Sequence, residues 1–381
     1  MLAAAPILQF GTGRFLQAHV DLFVSQALPR GQALGGIAVV QSTDSAQSST
    51  RLAALAAAQG YPVHIRGLRN GRTVDEVLRV SSVQSAWHAR REWPRLLDAV
   101  ASQVQVIVSN TADRGYELDP ADSADALTAT AGPPRSFPAR LVVLLWHRWR
   151  LLPAAPMTIL PCELVGRNGD TLREIVAGVA GRWGAPHDFM AYLRDHCVWV
   201  NSLVDRIVSA PLHPAGAIAE PYALWAIERH PRMVLPCSHP DIVLTDALAG
   251  FERLKLWLLN LAHSFLAERW LVDGRPPDET VLDAMRDDSL RAQLEDLWHE
   301  EVLPVFDALG EGAAALAYLA DLRERLLNPF LAHRLADIAQ NHTRKMHRRF
   351  SPVIEAAARA GLSIRQPRLR LALTNIGGDA A

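Results

Sequence analysis

Two patterns of apolar and polar positions divide this chain. In its first half, short apolar runs alternate with stretches of helical spacing. Residues 6–10 (PILQF) read as a strand, followed by Gly11-Thr12-Gly13 and a helix over 15–28. Residues 36–41 (GIAVVQ) read as a second strand closed by Ser42, Thr43 and Asp44, with a helix over 46–59 behind it. Residues 61–68 and 73–80 flank Asn70-Gly71, the residue pair that a type I′ hairpin turn favours. The run at 104–109 (VQVIVS) is a buried-strand pattern, 158–161 predicts another strand, and 135–150 predicts a helix. Strand, glycine turn, helix, strand is the order of a doubly wound parallel sheet.

Beyond Ser209 the character changes. Pro211, Pro214 and Pro221 mark a loop-rich stretch, and from about Asp246 apolar residues recur at three and four through 251–270, 281–309 and 313–327. The pattern predicts an α/β chain with a Rossmann-like doubly wound domain over 1–210 and a mainly α-helical domain over 211–381.

Composition narrows the classes. With 381 residues, 49% of them apolar and 21% charged, the chain has room for two cores. A net charge of −1 gives no general electrostatic case for nucleic acid or an anionic membrane. The longest apolar runs, 141–146 and 256–259, are far shorter than a membrane span. The opening MLAAAP has no basic stretch, long apolar segment and cleavage site in sequence, so no signal peptide is expected. Cys162, Cys197 and Cys237 are widely spaced, which fits a reducing cytoplasm. No CxxC or HxxxH spacing suggests a zinc site, so no metal is expected. A monomer and a homodimer both fit.

Candidate chemistry sits in two places. Phe10-Gly11-Thr12-Gly13-Arg14-Phe15 follows the first strand, where glycines permit a tight turn and close approach of a pyrophosphate. Leu16 stands where the third glycine of the usual fingerprint would be. Gly11, Gly13, Arg14 and Phe15 are therefore candidate dinucleotide contacts, with Asp44 at the end of the second strand for the adenosine ribose. An acid there, rather than an arginine cluster, favours NAD over NADP, although Arg51 is near in sequence. Asn110 and Thr111, after the strand at 104–109, are placed to line a nicotinamide pocket or simply to cap a turn. His19 is expected to pack behind the glycine turn without chemistry.

The second place is KLWLLNLAH at 255–263. At about 100° per residue, Lys255, Asn260 and His263 fall near 0°, 140° and 80° on one side of an otherwise apolar helix. An amine, an amide and an imidazole can take a proton from a carbinol and steady the oxygen left behind. A satisfied core Asn and His beside an extended Lys is the plainer alternative.

Together these segments resemble the long-chain mannitol dehydrogenase family of polyol and uronate oxidoreductases. The similarity is carried by FGTGRFLQAH at 10–19, VSNTADRGY at 108–116, SFPARL at 136–141, NSLVDRIV at 201–208 and FERLKLWLLNLAHS at 251–264. PCELVGRNG at 161–169 is most similar to the branch containing tagaturonate reductase (altronate oxidoreductase). The resemblance implies Lys255 as catalytic base, Asn260 as an oxyanion-stabilising amide and His263 as a substrate-orienting imidazole. It further implies Asp205 and Lys345 as substrate contacts. For Asp205, an internal ion pair with Arg206 is the alternative reading. The family's second oxyanion amide falls at Leu164, leaving Asn168 as the nearby substitute, and an arginine expected before the late lysine falls at Asp337.

The chemistry implied is hydride transfer to nicotinamide, with the protein taking the proton and holding the oxyanion. A free lysine has a pKa of about 10.4, so Lys255 must be desolvated to act as a base near neutrality. The expected substrate is a polyol or aldonate interconverted with its ketose or keto-uronate. A sugar-phosphate dehydrogenase of the mannitol-1-phosphate type and a non-catalytic dinucleotide sensor are the rival expectations.

Overall fold

The computed structural model describes residues 5–43, 46–111, 115–128 and 132–375. Thirteen strands occur among them: β1 (Ile7–Phe10), β2 (Ile37–Gln41), β3 (Tyr61–Arg69), β4 (Arg72–Val80), β5 (Val83–His88), β6 (Val106–Ser109), β7 (Met157–Pro161), β8 (Cys197–Trp199), β9 (Ser202–Asp205), β10 (Val208–Pro211), β11 (Ala217–Ala219), β12 (Leu224–Glu228) and β13 (Ile242–Thr245). The chain forms two compact units. Unit 1 holds residues 1–64, 77–219 and 223–248, and unit 2 holds 65–76, 220–222 and 249–381.

Unit 1 is built on a six-stranded sheet in the order β5-β2-β1-β6-β7-β8. All its pairings are parallel. Every residue of β1, β2, β6 and β7 is buried, as expected of strands covered on both faces. Their side chains pack with Leu96, Leu141, Val176 and Phe189 from the helices Trp93–Ser102, Phe137–Leu151, Asn168–Arg182 and His187–Asp195. The strand order reverses direction between β1 and β6, and this is where such sheets bind ligands beyond their strand ends. The hairpin turn is as expected: Asn70 and Gly71 have φ of 53° and 72°.

Two sequence expectations differ from the structure. The helix expected over 15–28 is two helices, Arg14–Gln17 and Val20–Ala27. Between them His19 leaves helical geometry, with φ −127° and ψ −93°, and its Nε2 lies 3.1 Å from the Leu224 carbonyl oxygen. Its ring packs against Phe15, Phe23 and Trp225, so the side chain anchors the break. The division of the chain also falls at 248/249 and not near 210. β12 pairs antiparallel with β9 and parallel with β13, and these ladders bind residues 224–245 to unit 1. The prolines near 211 mark a loop inside a unit, not a linker.

Unit 2 is mainly helical, with a core from Trp257, Leu258, Trp298, Phe306, Leu319 and Phe350. Two stretches, Lys255–Asn260 and Leu297–Val302, are π-helical turns within longer helices. No described helix is long and apolar enough to cross a membrane.

Candidate active site

In unit 1 the carboxyl ends of β1 and β6 carry Gly11 and Asn110. Gly11 has φ of 124°, and a Cβ there would stand 2.6 Å from the Asn110 carbonyl oxygen and 3.0 Å from Leu16 Cδ1. Only glycine fits this corner. A Cβ on Gly13, by contrast, would meet nothing within 4 Å, so the outer side of the turn is open. A cavity of about 220 Å³ opens beside it, with Arg14, Gln17, Arg51, His213 and Gly216 in its wall. Gln17 braces the wall, donating from Nε2 to the Thr12 carbonyl (2.8 Å) and accepting from the Gly216 N–H (2.6 Å). Two guanidinium groups and an imidazole around an open glycine turn fit a dinucleotide's phosphates. Phe15 is half-buried and stacks on His19 at 4.9 Å. Asp44, expected at the ribose, lies outside the described residues.

The polar residues after β6 are tied down by one carboxylate. Buried Glu163 accepts from Ser109 Oγ (3.0 Å), from the Thr111 N–H and Oγ1 (both 2.9 Å) and from Tyr116 Oη (3.3 Å). Burial first, and then the negative charge of Glu163, pushes the Tyr116 hydroxyl well above the usual tyrosine range. Asn110 donates from Nδ2 to the Cys162 carbonyl (3.0 Å). Asn110 and Thr111 thus stand where a cofactor pocket was expected, with their side-chain donors engaged by the framework.

Asn168 corrects its expectation. The residue is 1% exposed, and its Nδ2 donates to the carbonyls of Pro161, Glu163 and Ser202 at 3.0, 3.1 and 2.9 Å. Its Oδ1 accepts from the N–H groups of Gly169 and Ser202. Both ends of the amide are used, so Asn168 is a framework residue and not an amide offered to substrate. Asp205 is buried at the end of β9, and the neighbouring Arg206 donates to the Ala18 carbonyl at 2.7 Å.

In unit 2 the expected triad lies on one continuous helical path, but not with regular α spacing. Residues 255–260 form a π turn, in which N–H groups bond five residues back. More residues per turn means a smaller step, roughly 80° each. Asn260 then falls about 40° from Lys255 rather than 140°, and His263 about 20° on its other side. The π turn therefore narrows the spread of amine, amide and imidazole. Such turns recur at functional sites. Lys255 and Asn260 are half-buried, and His263 is 7% exposed. Arg349 braces the turn, donating to the Asn260 carbonyl (3.1 Å) and to Ser264 Oγ (2.7 Å). Burial, then repulsion from Arg348, lowers the Arg349 guanidinium to about 10.

Lys345 donates from Nζ to the Ile338 carbonyl at 2.9 Å, and burial followed by the charge of Arg349 holds its ammonium below the usual lysine range. His333, which no sequence pattern singled out, packs edge-on against His263 with ring centroids 4.9 Å apart. Glu163 and His333 hold or touch candidate site residues without having been singled out by the sequence. Their partners are remote in the chain, and PCELVGRNG at 161–169 drew attention only to the first. Among the described residues no three His, Cys, Asp or Glu side chains gather as a metal site.

Comparison with known proteins decides the family. A family model described as the mannitol dehydrogenase Rossmann domain matches residues 5–235, and one described as the mannitol dehydrogenase C-terminal domain matches 247–374. The chain belongs to the mannitol dehydrogenase family. Curated relatives include an altronate oxidoreductase of Halalkalibacterium halodurans, 31% identical over 91% of this chain and 69% of the relative. One from Bacillus subtilis is 28% identical over 92% and 75%. Among solved structures, a D-sorbitol dehydrogenase in substrate-free form matches with a TM-score of 0.78 and 17% identity, covering 94% of this chain and 77% of that one. A Pseudomonas fluorescens mannitol 2-dehydrogenase in ternary complex with NAD and D-mannitol matches with a TM-score of 0.74 and 18% identity, covering 98% and 79%. The family and the Rossmann-plus-helical architecture expected from the sequence are those found, and the chain is an oxidoreductase of this family.

Proposed function

We propose that this member of the mannitol dehydrogenase family interconverts a sugar acid of the aldonate type with its keto-uronate, using NAD and a lysine acid/base. Unit 1 contributes nucleotide binding through Gly11, Gly13, Arg14 and the cationic cavity beside them. Unit 2 contributes the proton chemistry. When bound, the nicotinamide supplies the hydride acceptor. In oxidation Lys255 Nζ takes the carbinol proton, and in reduction it returns it. The Asn260 amide donates to the developing oxyanion without titrating, and the His263 imidazole orients the substrate. Amine and amide meet the needs of the reacting oxygen, so the reaction as written uses no metal. Asp205 and Lys345 are assigned to the substrate on the family resemblance, with Lys345 held in place by the Ile338 carbonyl.

The observation that carries this reading is the π turn at Lys255–Asn260, which draws Lys255, Asn260 and His263 toward one line on the helix surface. The choice of a sugar acid rests on the altronate oxidoreductase relatives and on PCELVGRNG at 161–169. The test is reduction of a panel of ketoses, ketose phosphates and keto-uronates with NADH and with NADPH. Fastest turnover of a keto-uronate with NADH is expected. A preference for a ketose phosphate would move the chain to the sugar-phosphate dehydrogenases, and nucleotide binding without turnover would make it a sensor.

A further inference from the structure

His333 lies in the segment between the helices Gly312–Leu326 and Leu335–Ile338. Its backbone is fixed there, because its carbonyl accepts from the Val281 N–H at 2.9 Å and the next residue, Arg334, bridges Thr280. The ring is mostly buried and meets the His263 ring at 4.9 Å between centroids, with the planes 69° apart. Among the described residues its buried Nδ1 has no hydrogen-bond partner. Buried polar atoms are ordinarily satisfied, and one that the chain leaves unpaired beside the His263 ring has hydrogen-bonding capacity for a partner from outside the chain. The charged groups that act on this ring are Asp337 and Lys345, from the next two helices, and they pull in opposite directions. Burial outweighs both and holds the imidazole below the usual histidine range, so it is neutral at pH 7. A neutral imidazole has one N–H and one lone pair, and either complements a hydroxyl.

We propose that His333 is a substrate-recognition residue, whose Nδ1 hydrogen-bonds a hydroxyl of the polyhydroxylated chain next to the atom that His263 orients. The proposal rests on the reading of the Lys255–Asn260–His263 face as the substrate-binding face. It gives a place in the site to a residue outside the 255–263 motif, and it requires a substrate with a hydroxyl adjacent to the reacting carbon.

The test compares His333→Phe, which keeps a ring and removes both nitrogens, with His333→Asn, whose amide restores a polar atom near the position of Nδ1. Each is assayed on the panel compound that the native protein reduces fastest, alongside Lys255→Met. His333→Phe is expected to raise KM about 10- to 100-fold, the effect of one lost buried hydrogen bond, with kcat changed less than about threefold. His333→Asn should recover most of that loss, and NADH affinity and Tm should stay near native in both. If Lys255→Met abolishes turnover while His333→Phe keeps a native KM, the assignment of His333 is wrong and the reading of the face stands. If both His333 variants lose KM, NADH affinity and Tm together, the residue is only structural and the proposal is overturned. If Lys255→Met turns over like the native protein, the reading of the face fails and takes this proposal with it.

Discussion

The turn after β1 in unit 1 and the π turn of unit 2 both carry residues that the sequence marks as functional, yet they use polar groups in opposite ways. Around the first, side chains are spent on the framework. Gln17, Asn110, Thr111 and Asn168 all place their amides or hydroxyls on backbone or on Glu163. What remains open there is the space over Gly13 and the cavity wall that carries the guanidinium groups of Arg14 and Arg51 beside His213. Around the second, a remote arginine braces the backbone, and the helix register brings three chemical groups together. Polar residues near a sheet end thus serve mainly to hold a shape that a ligand enters. The polar residues set into the apolar helix of unit 2 are the ones proposed to carry the chemistry.

The comparison makes the loss of a unit 2 side chain the most damaging to turnover. Lys255→Met keeps much of the stem and removes the amine, so turnover should fall by about 10²–10⁴-fold in steady-state assays, with NADH affinity retained. In unit 1 the sensitive element is backbone shape. Gly11→Ala puts a Cβ at a φ of 124° and 2.6 Å from the Asn110 carbonyl oxygen. It should weaken NADH binding at least about tenfold by fluorescence titration, because the strain falls on the turn itself.

Smaller effects are expected where unit 1 only supports that turn. Glu163→Gln replaces an acceptor of hydrogen bonds from Ser109, Thr111 and Tyr116 with a group that also donates. Chemical denaturation should show a loss of about 1–3 kcal/mol. A pH-dependent case is Asp21, whose carboxyl burial raises to about 7 against the hydrogen bond from Tyr61 (2.6 Å). The native state keeps this proton between about pH 4 and 7 while the unfolded chain has lost it. Native stability is therefore eroded as pH rises through that interval, by about 1.4 kcal/mol per pH unit at most, and is level above it. Asp21→Asn should match the native protein near pH 4 and exceed it in stability at pH 8. Equal stability of the two at pH 8 would show that Asp21 is not held protonated.

Legibility in the sequence follows the same division. β1, β2 and the hairpin were readable because short apolar runs and Asn70-Gly71 are local signals, and the glycine turn because Gly11 permits what other residues do not. The strands after Ser209 were not, since β11, β12 and β13 run only three to five residues and are defined by partners elsewhere in the chain. The boundary was misplaced for that reason. Lys255, Asn260 and His263 stood out as polar residues in an apolar run, but hydrogen-bond register is not written in residue identity, so the π turn was invisible. The framework role of Asn168 was equally hidden, since it depends on Ser202, 34 residues away.

The central claim is that the Lys255 amine moves the proton, and its most direct test is the pH dependence of alcohol oxidation in the native protein and in Lys255→Met. A base must be unprotonated to accept, so native kcat should fall as pH drops through the apparent pKa of this group. The Met variant should show a residual rate without that fall, and a native NADH affinity. A variant with near-native kcat and the native pH profile would contradict the account and leave Lys255 a structural residue.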